Sequence, residues 1–174
     1  MVIREAKIDE LDEIMEFYDA MCRELGGAKF LRGEYKGGFP PRAMAEAAAR
    51  EGGLFVGEED GEIIAAYIMN NECDEAYDAA PWQIDADKKS VSVLHALRVS
   101  PRYGGRGYAG RLVEHAAETA RARGQKALRL DCIEGNVIPQ KMYLSHGFKN
   151  AGTVEIFYED IGEPRNFLLF ERVL

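Results

Sequence analysis

Between Val91 and Arg123 an apolar, β-branched run, Val91–Val99, passes through a glycine-rich joint into Gly107–Arg123, where Ala109, Leu112, Val113, Ala116 and Ala120 recur at helical spacing. The run reads as a buried strand and the segment after the joint as an amphipathic helix packed on it. The joint holds Gly104, Gly105 and Gly107. Amides in the first turn of a helix lack internal partners, and glycines let that backbone approach a ligand closely, so a phosphate or pyrophosphate can rest there. Arg102 and Arg106 add charge. From Arg98 to Arg129 eight bases stand against only Glu114 and Glu118, in a chain of net charge -8. A local anion site on an acidic protein is therefore expected, whereas non-specific binding to nucleic acid or anionic lipid is disfavoured.

With 174 residues, 47% hydrophobic and 30% charged, the chain suits a single soluble domain over residues 1–174 that buries a core without disulfide or metal staples. Cys22, Cys73 and Cys132 are odd in number and in no Cys/His ligand spacing. No structural metal is expected, and the thiols suit a reducing cytosol. No run approaches the roughly 18 apolar residues of a membrane span, and Met1 leads straight into charged sequence, so the protein is expected to be cytoplasmic with no membrane partner.

Val2 to Ala6 reads as a short strand, followed by a helix from Leu11 to Leu25 that Asp9 can cap. A glycine-rich stretch then runs to Pro40-Pro41, which opens an Ala-rich helix to about Arg50. Leu54–Glu58 and Ile63–Met69, around a Glu59-Asp60-Gly61 turn, predict a hairpin. Asn71 to Lys89 is a long acidic loop containing Tyr77 and Trp82, and loops of this length in compact domains often carry function. A strand over Ala127–Cys132, a short helix over Pro139–His146 and strands over Phe148–Tyr158 and Asn166–Val173 complete an α/β pattern.

Gly105-Arg-Gly107-Tyr-Ala-Gly110 is literally GxGxxG, with Asp131 at the end of the next strand. A dinucleotide site is rejected on spacing. Its fingerprint begins at the strand's end and opens its domain, whereas here Ser100 to Gly104 intervene and a hairpin comes first. Read as Arg102-x-x-Gly105-x-Gly107, the same segment resembles the acyl-CoA signature Q/R-x-x-G-x-G/A of the GNAT N-acetyltransferase superfamily. Asn136, Tyr143 and Gly147-Phe148 resemble that family's second block, in the right order and at a family-like separation.

The resemblance implies a mixed, mostly antiparallel sheet of about seven strands, splayed between the fourth and fifth and flanked by about four helices. It implies acyl-CoA in the gap, the pantetheine arm on backbone around Leu97, Arg98 and Val99, and Asn136 and Tyr143 beside the carrier. The pyrophosphate then lies on amides of Tyr103, Gly104, Gly105, Arg106, Gly107, Tyr108 and Ala109. An extended amide-bearing arm can add to a strand edge as another strand would. The implied activity is transfer of acetyl from acetyl-CoA, without metal, to a primary amine by direct attack in a ternary complex.

Such transfer needs a neutral amine, a polarised thioester carbonyl and a proton for the departing thiolate. By resemblance Tyr143 is the donor. His95, at the second histidine of a His-x-His-x-Leu-x-Val strand whose first is here Val93, is the candidate base. Glu72 and Asp74 are rival bases or attractors of a cationic amine, with Trp82 and Tyr77 as acceptor-pocket walls. Cys132 reads as a small buried hydrophobe, and His115 and His146 have no visible partner. The acceptor is expected to be a small or peptidic, cationic amine, and the protein a stand-alone bacterial enzyme, monomeric or homodimeric. The alternative is a non-catalytic acyl-CoA sensor.

Overall fold

The computed structural model describes residues 1–31 and 35–174, so part of the glycine-rich stretch before Pro40 lies outside the described residues. Seven strands, β1 (Val2–Glu5), β2 (Leu54–Glu59), β3 (Glu62–Asn70), β4 (Val91–Val99), β5 (Ala127–Ile133), β6 (Lys149–Phe157) and β7 (Pro164–Val173), form one sheet in the order β1-β2-β3-β4-β5-β7-β6. The helices are α1 (Leu11–Leu25), α2 (Arg42–Arg50), α3 (Tyr108–Ala122) and α4 (Val137–Ser145). Every neighbouring pair of strands is antiparallel except β4 and β5.

That parallel pair is short. Val91–Val93 align with Ala127–Arg129 and pairing stops there, while β4 continues along β3 to Val99 and β5 continues along β7 to Ile133. The two strands therefore diverge and leave a cleft between them. A bulge sharpens the divergence. Ile68 opposes His95 and Ala66 opposes Arg98, so Tyr67 alone faces both Ala96 and Leu97, and Ala96 takes a φ of 50°. An extra residue of this kind bends its strand and strengthens its twist.

One face of the sheet packs on α3, with Ile64, Tyr67, Leu94, Leu112, Leu128, Leu130 and Phe170 buried together. The opposite face packs on α1 and α2 through Leu11, Ile14, Tyr18, Ala45, Leu54, Val56 and Ile68. Each such side chain contributes about 1.5–3 kcal/mol by leaving water. A third cluster, Tyr77, Val93, Ile133, Ile156, Phe167 and Leu169, binds the long loop to β5–β7.

Local signals differ in places from the sequence expectation. Asp9 does not cap α1: Ile8–Glu10 forms a 3-10 turn and Glu10 leads into the helix. The Glu10 carboxylate accepts from the Lys7 amide at 2.8 Å and takes both Arg4 Nη atoms, at 2.8 and 2.7 Å. Helix α4 opens at Val137, earlier than Pro139, because a proline within the first turn costs no internal hydrogen bond. His115 does have a partner, the Tyr67 hydroxyl at 2.7 Å from Nδ1.

Candidate functional site

The cleft's β4 wall presents unpaired backbone. The Ser100 amide donates to Ile64 O at 2.8 Å and so points toward β3, and alternation along the strand turns the peptide groups of Leu97 and Val99 the other way, into the cleft. Leu97, Arg98 and Val99 are half-buried although they lie inside a seven-stranded sheet.

Beyond Val99 a 3-10 turn, Pro101–Tyr103, leads to Gly104–Gly107 and the start of α3. Gly105 and Gly107 hold φ of 76° and 74°, a region where a side chain would be strained, which is why glycines form this joint. The first intrahelical bond runs from Arg111 N to Gly107 O. The preceding amides of the first turn are therefore left for a ligand, at the positive end of the helix dipole. A depression of about 340 Å³ lies over them, lined by Val99, Pro101, Tyr103, Gly104, Gly105, Gly107, Tyr108, Ala109, Met142 and His146 among others.

The two arginines expected to add free charge are instead paired across the β2–β3 turn. Arg102 meets Glu62 at 3.2 Å and Arg106 meets Glu59 at 3.0 Å, while Glu59 also takes the N-terminal ammonium at 3.0 Å and the Tyr108 hydroxyl. These contacts are exposed at the arginines and so worth little each. His146 donates from Nδ1 to Met142 O at 2.8 Å, and its Nε2 edge covers Gly110, where any Cβ would come within 2.5 Å of it.

Tyr143 stands on α4 in the cleft's floor, 7% exposed, with Phe148 and Phe170 rings 5.7 and 5.8 Å away. Burial raises its hydroxyl pKa, the Cys132 thiol adds to this, and the Arg98 guanidinium opposes it. Cys132 itself is buried, its thiol pushed up to about 12, as a small hydrophobe should be. Asn136 is the half-buried residue at the N-terminus of α4.

His95 on β4 reaches across to the end of β3. Its Nε2 lies 2.9 Å from Asn70 Oδ1 and 3.1 Å from Glu72 O. Both are acceptors, so this network assigns the ring proton to Nε2 and the lone pair to Nδ1. Burial lowers its pKa to about 4, against the hydrogen bond to the Glu72 backbone. Glu72 enters this arrangement only through its main chain and is exposed. Asp74 is turned to local work, accepting from the Ala76 amide at 2.9 Å to cap the 3-10 turn Glu75–Ala79. Trp82 donates to Tyr77 O at 2.8 Å and lies 4.1 Å over the Arg129 guanidinium, where it ties the loop to β5.

What the sequence reading missed is the charge inside the cleft. Asp131 on β5 is half-buried, and its Oδ2 accepts from both the Tyr77 hydroxyl at 2.9 Å and the Tyr158 hydroxyl at 2.8 Å, with no partner for Oδ1 among the described residues. Burial raises its pKa, opposed by those two hydrogen bonds. Arg98, counted in the sequence among the eight bases and given a backbone role, donates from Nη1 to Leu97 O at 3.0 Å. The available signal was two charges at alternate positions, Arg129 and Asp131, in a strand otherwise apolar enough to be buried. Among the described residues no group of three or more His, Cys, Asp or Glu could hold a metal ion. No helix is long and apolar enough to cross a membrane.

The architecture is thus an open mixed sheet parted at its one parallel pair, with a glycine-rich helix start beside the gap. The acetyltransferase (GNAT) family profile matches residues 14–148, and the chain belongs to that family. It is 28% identical over 102 residues to the uncharacterized N-acetyltransferase YesJ of Bacillus subtilis, covering 59% of this chain and 56% of that one. It is 26% identical over 149 residues to an uncharacterized N-acetyltransferase of Archaeoglobus fulgidus, covering 86% and 93%. The chain spans only 56% and 59% of the lengths of YesJ and of a Methanocaldococcus jannaschii relative. The fold matches that of a GNAT-family acetyltransferase from Streptococcus agalactiae, with TM-score 0.77 at 23% identity over 99% of this chain and 95% of that one. It also matches YncA of Salmonella typhimurium, solved with its cofactor acetyl-CoA, with TM-score 0.70 at 18% identity over 100% and 94%.

Proposed function

We propose that the protein transfers acetyl from acetyl-CoA to a primary amine by direct attack within a ternary complex. One observation carries the reading: the half-buried Leu97–Val99 edge, without a β5 partner, runs into a depression that Val99 lines together with the glycine-rich start of α3 and Met142, the neighbour of Tyr143. The residues present fit such a carrier. The peptide groups of Leu97 and Val99 would pair with its pantetheine arm and Asn136 would flank that arm, while the pyrophosphate falls to the amides from Gly105 to Ala109, because those of Tyr103 and Gly104 already donate to Ser100 O at 2.9 Å and Pro101 O at 3.0 Å. Bound there, acetyl-CoA supplies an activated acyl group on a thioester.

The proton roles fall to this chain's residues. Asp131 Oδ1 takes a proton from the acceptor's ammonium, so that the nitrogen lone pair can form the C–N bond. Tyr143 then gives its hydroxyl proton to the sulfur as the C–S bond breaks. A carboxylate whose pKa burial has raised is better matched to this task than His95, whose Nε2 is already committed and whose pKa is held at about 4. His95 is assigned to positioning, since it fixes the Asn70–Glu72 end of β3 beside the cleft. The three free cysteines fit an enzyme of a reducing compartment.

Release of free thiol from acetyl-CoA across a panel of primary amines tests this. Turnover should fall by roughly 10²-fold or more in Asp131→Asn and in Tyr143→Phe, with CoA affinity by calorimetry kept in Asp131→Asn. Tight CoA binding without thiol release on any amine would instead leave an acyl-CoA sensor.

A further inference from the structure

Arg98 is a cation in the cleft with nothing to neutralise it at contact distance. Among the described residues its guanidinium forms no salt bridge, its hydrogen bond goes to the neighbouring Leu97 carbonyl, and its Nε is buried without a partner. The Tyr18 hydroxyl on α1 is the other buried side-chain group without a partner among the described residues, on a residue only 1% exposed. Helix α1, which carries Tyr18, packs on β4, which carries Arg98. The positive charge of Arg98 acts on the Tyr18 hydroxyl, and likewise on Tyr143, Tyr35 and Asp160. A buried donor left unpaired costs more than its hydrogen bond would contribute, so two on adjoining elements point to an acceptor oxygen that completes them.

The identity of that oxygen follows from the cleft's other charges. Asp131 stands on β5, across the gap from Arg98 on β4, and Tyr143 is influenced by both. Asp160, on the hairpin between β6 and β7, lies beside Arg98 without forming an ion pair with it. A purely cationic amine would bring its charge to Asp131 but leave Arg98 and Tyr18 unsatisfied and repelled. A molecule carrying an amine and a carboxylate would satisfy both walls, with the ammonium at Asp131 Oδ1 and the carboxylate at Arg98 and Tyr18. Guanidinium is the side chain best shaped for a carboxylate.

We propose that the acceptor is an amino carboxylate, a small amine bearing a free carboxylate that is read by Arg98 and Tyr18. The proposal rests on the acetyl-transfer reading above, and it adds a carboxylate to the cationic amine expected from the acidic loop; of that loop's carboxylates, Asp74 caps the turn at Ala76 and Glu72 is exposed.

Free-thiol release from acetyl-CoA, measured with the whole chain, should be compared between α-amino acids and the matched amines that lack the carboxylate. The amino acids should be favoured in kcat/KM by about 10- to 100-fold, as for one charge-assisted contact made or missing. Arg98→Gln should bring that ratio to about one and Tyr18→Phe should narrow it, chiefly through KM, with Arg98→Lys keeping part of the preference. In CoA-loaded protein the amino acid should raise the melting temperature more than its decarboxylated partner does. Acetylation of the matched amines as fast as of the amino acids would overturn the proposal while leaving acetyl transfer intact. Absence of thiol release with every amine, in protein that binds CoA, would overturn both.

Discussion

Glu171 on β7 is 0% exposed, and its carboxylate joins the long loop to the sheet. Oε1 accepts from Arg129 Nε at 2.9 Å and Oε2 from the Gln83 amide at 2.6 Å. In Glu171→Ala the Arg129 guanidinium, on a side chain 10% exposed, keeps only the Ile84 carbonyl at 3.1 Å and the face of Trp82. The Gln83 amide loses its acceptor. A buried charge stripped of its counter-charge, plus one orphaned amide, costs about 3–5 kcal/mol in total. Against a total stability of about 5–15 kcal/mol that is a severe loss. With a urea m-value of about 2 kcal/mol/M, the unfolding midpoint should fall by roughly 2 M at unchanged m. Removing both charges is the decisive comparison: Glu171→Met with Arg129→Met leaves the Gln83 amide and the Ile84 carbonyl without these partners but no unpaired charge, and should recover about half of the loss. Amide exchange at Gln83 and Tyr77 should quicken in the single variant, because the loop's anchor is gone. A single variant that loses less than about 1 kcal/mol, or a double variant as unstable as the single, would refute the account.

Two further outcomes follow from the same structure. His95 has a folded pKa of about 4 against about 6.5 unfolded, so its contribution is complete above pH 6.5. As pH falls the unfolded chain protonates first, and about 3 kcal/mol at most is lost between pH 6.5 and 4; urea titrations at pH 7 and pH 4.5 should show a smaller drop for His95→Gln than for the parent chain. Gly53→Ala would place a Cβ 2.4 Å from the Met69 carbonyl oxygen, a backbone atom of β3 with no room to retreat, and should lower the melting temperature by roughly 4–8 °C, read by calorimetry.

The β4–joint–α3 unit was legible in the sequence because its signals are local: a run of alternating burial, glycines where φ must be positive, then helical periodicity. The cleft beside it was legible only through the family resemblance, which implied the splay, and not from local signals. Divergence of β4 from β5 depends on where pairing stops after Val93, and the bulge at Ala96 leaves no mark in an all-apolar run. In the acidic loop the Asp74 carboxylate caps a local turn, a bond the sequence could suggest, whereas the Tyr77 hydroxyl on Asp131 is a contact between residues 54 positions apart.

Charges placed in strands that composition predicts to be buried are a signal of a different kind, because desolvation forces each to find a partner. Arg129 has Glu171, and Asp131 has two tyrosine hydroxyls. Arg98 has only its neighbour's carbonyl. A folded chain that leaves one cation so poorly served among the described residues, with the buried Tyr18 hydroxyl on the helix packed against its strand equally unserved, carries a deficit that an anion could remove. Under the proposal above that anion is the acceptor's carboxylate, the phosphates being left to the amides before α3.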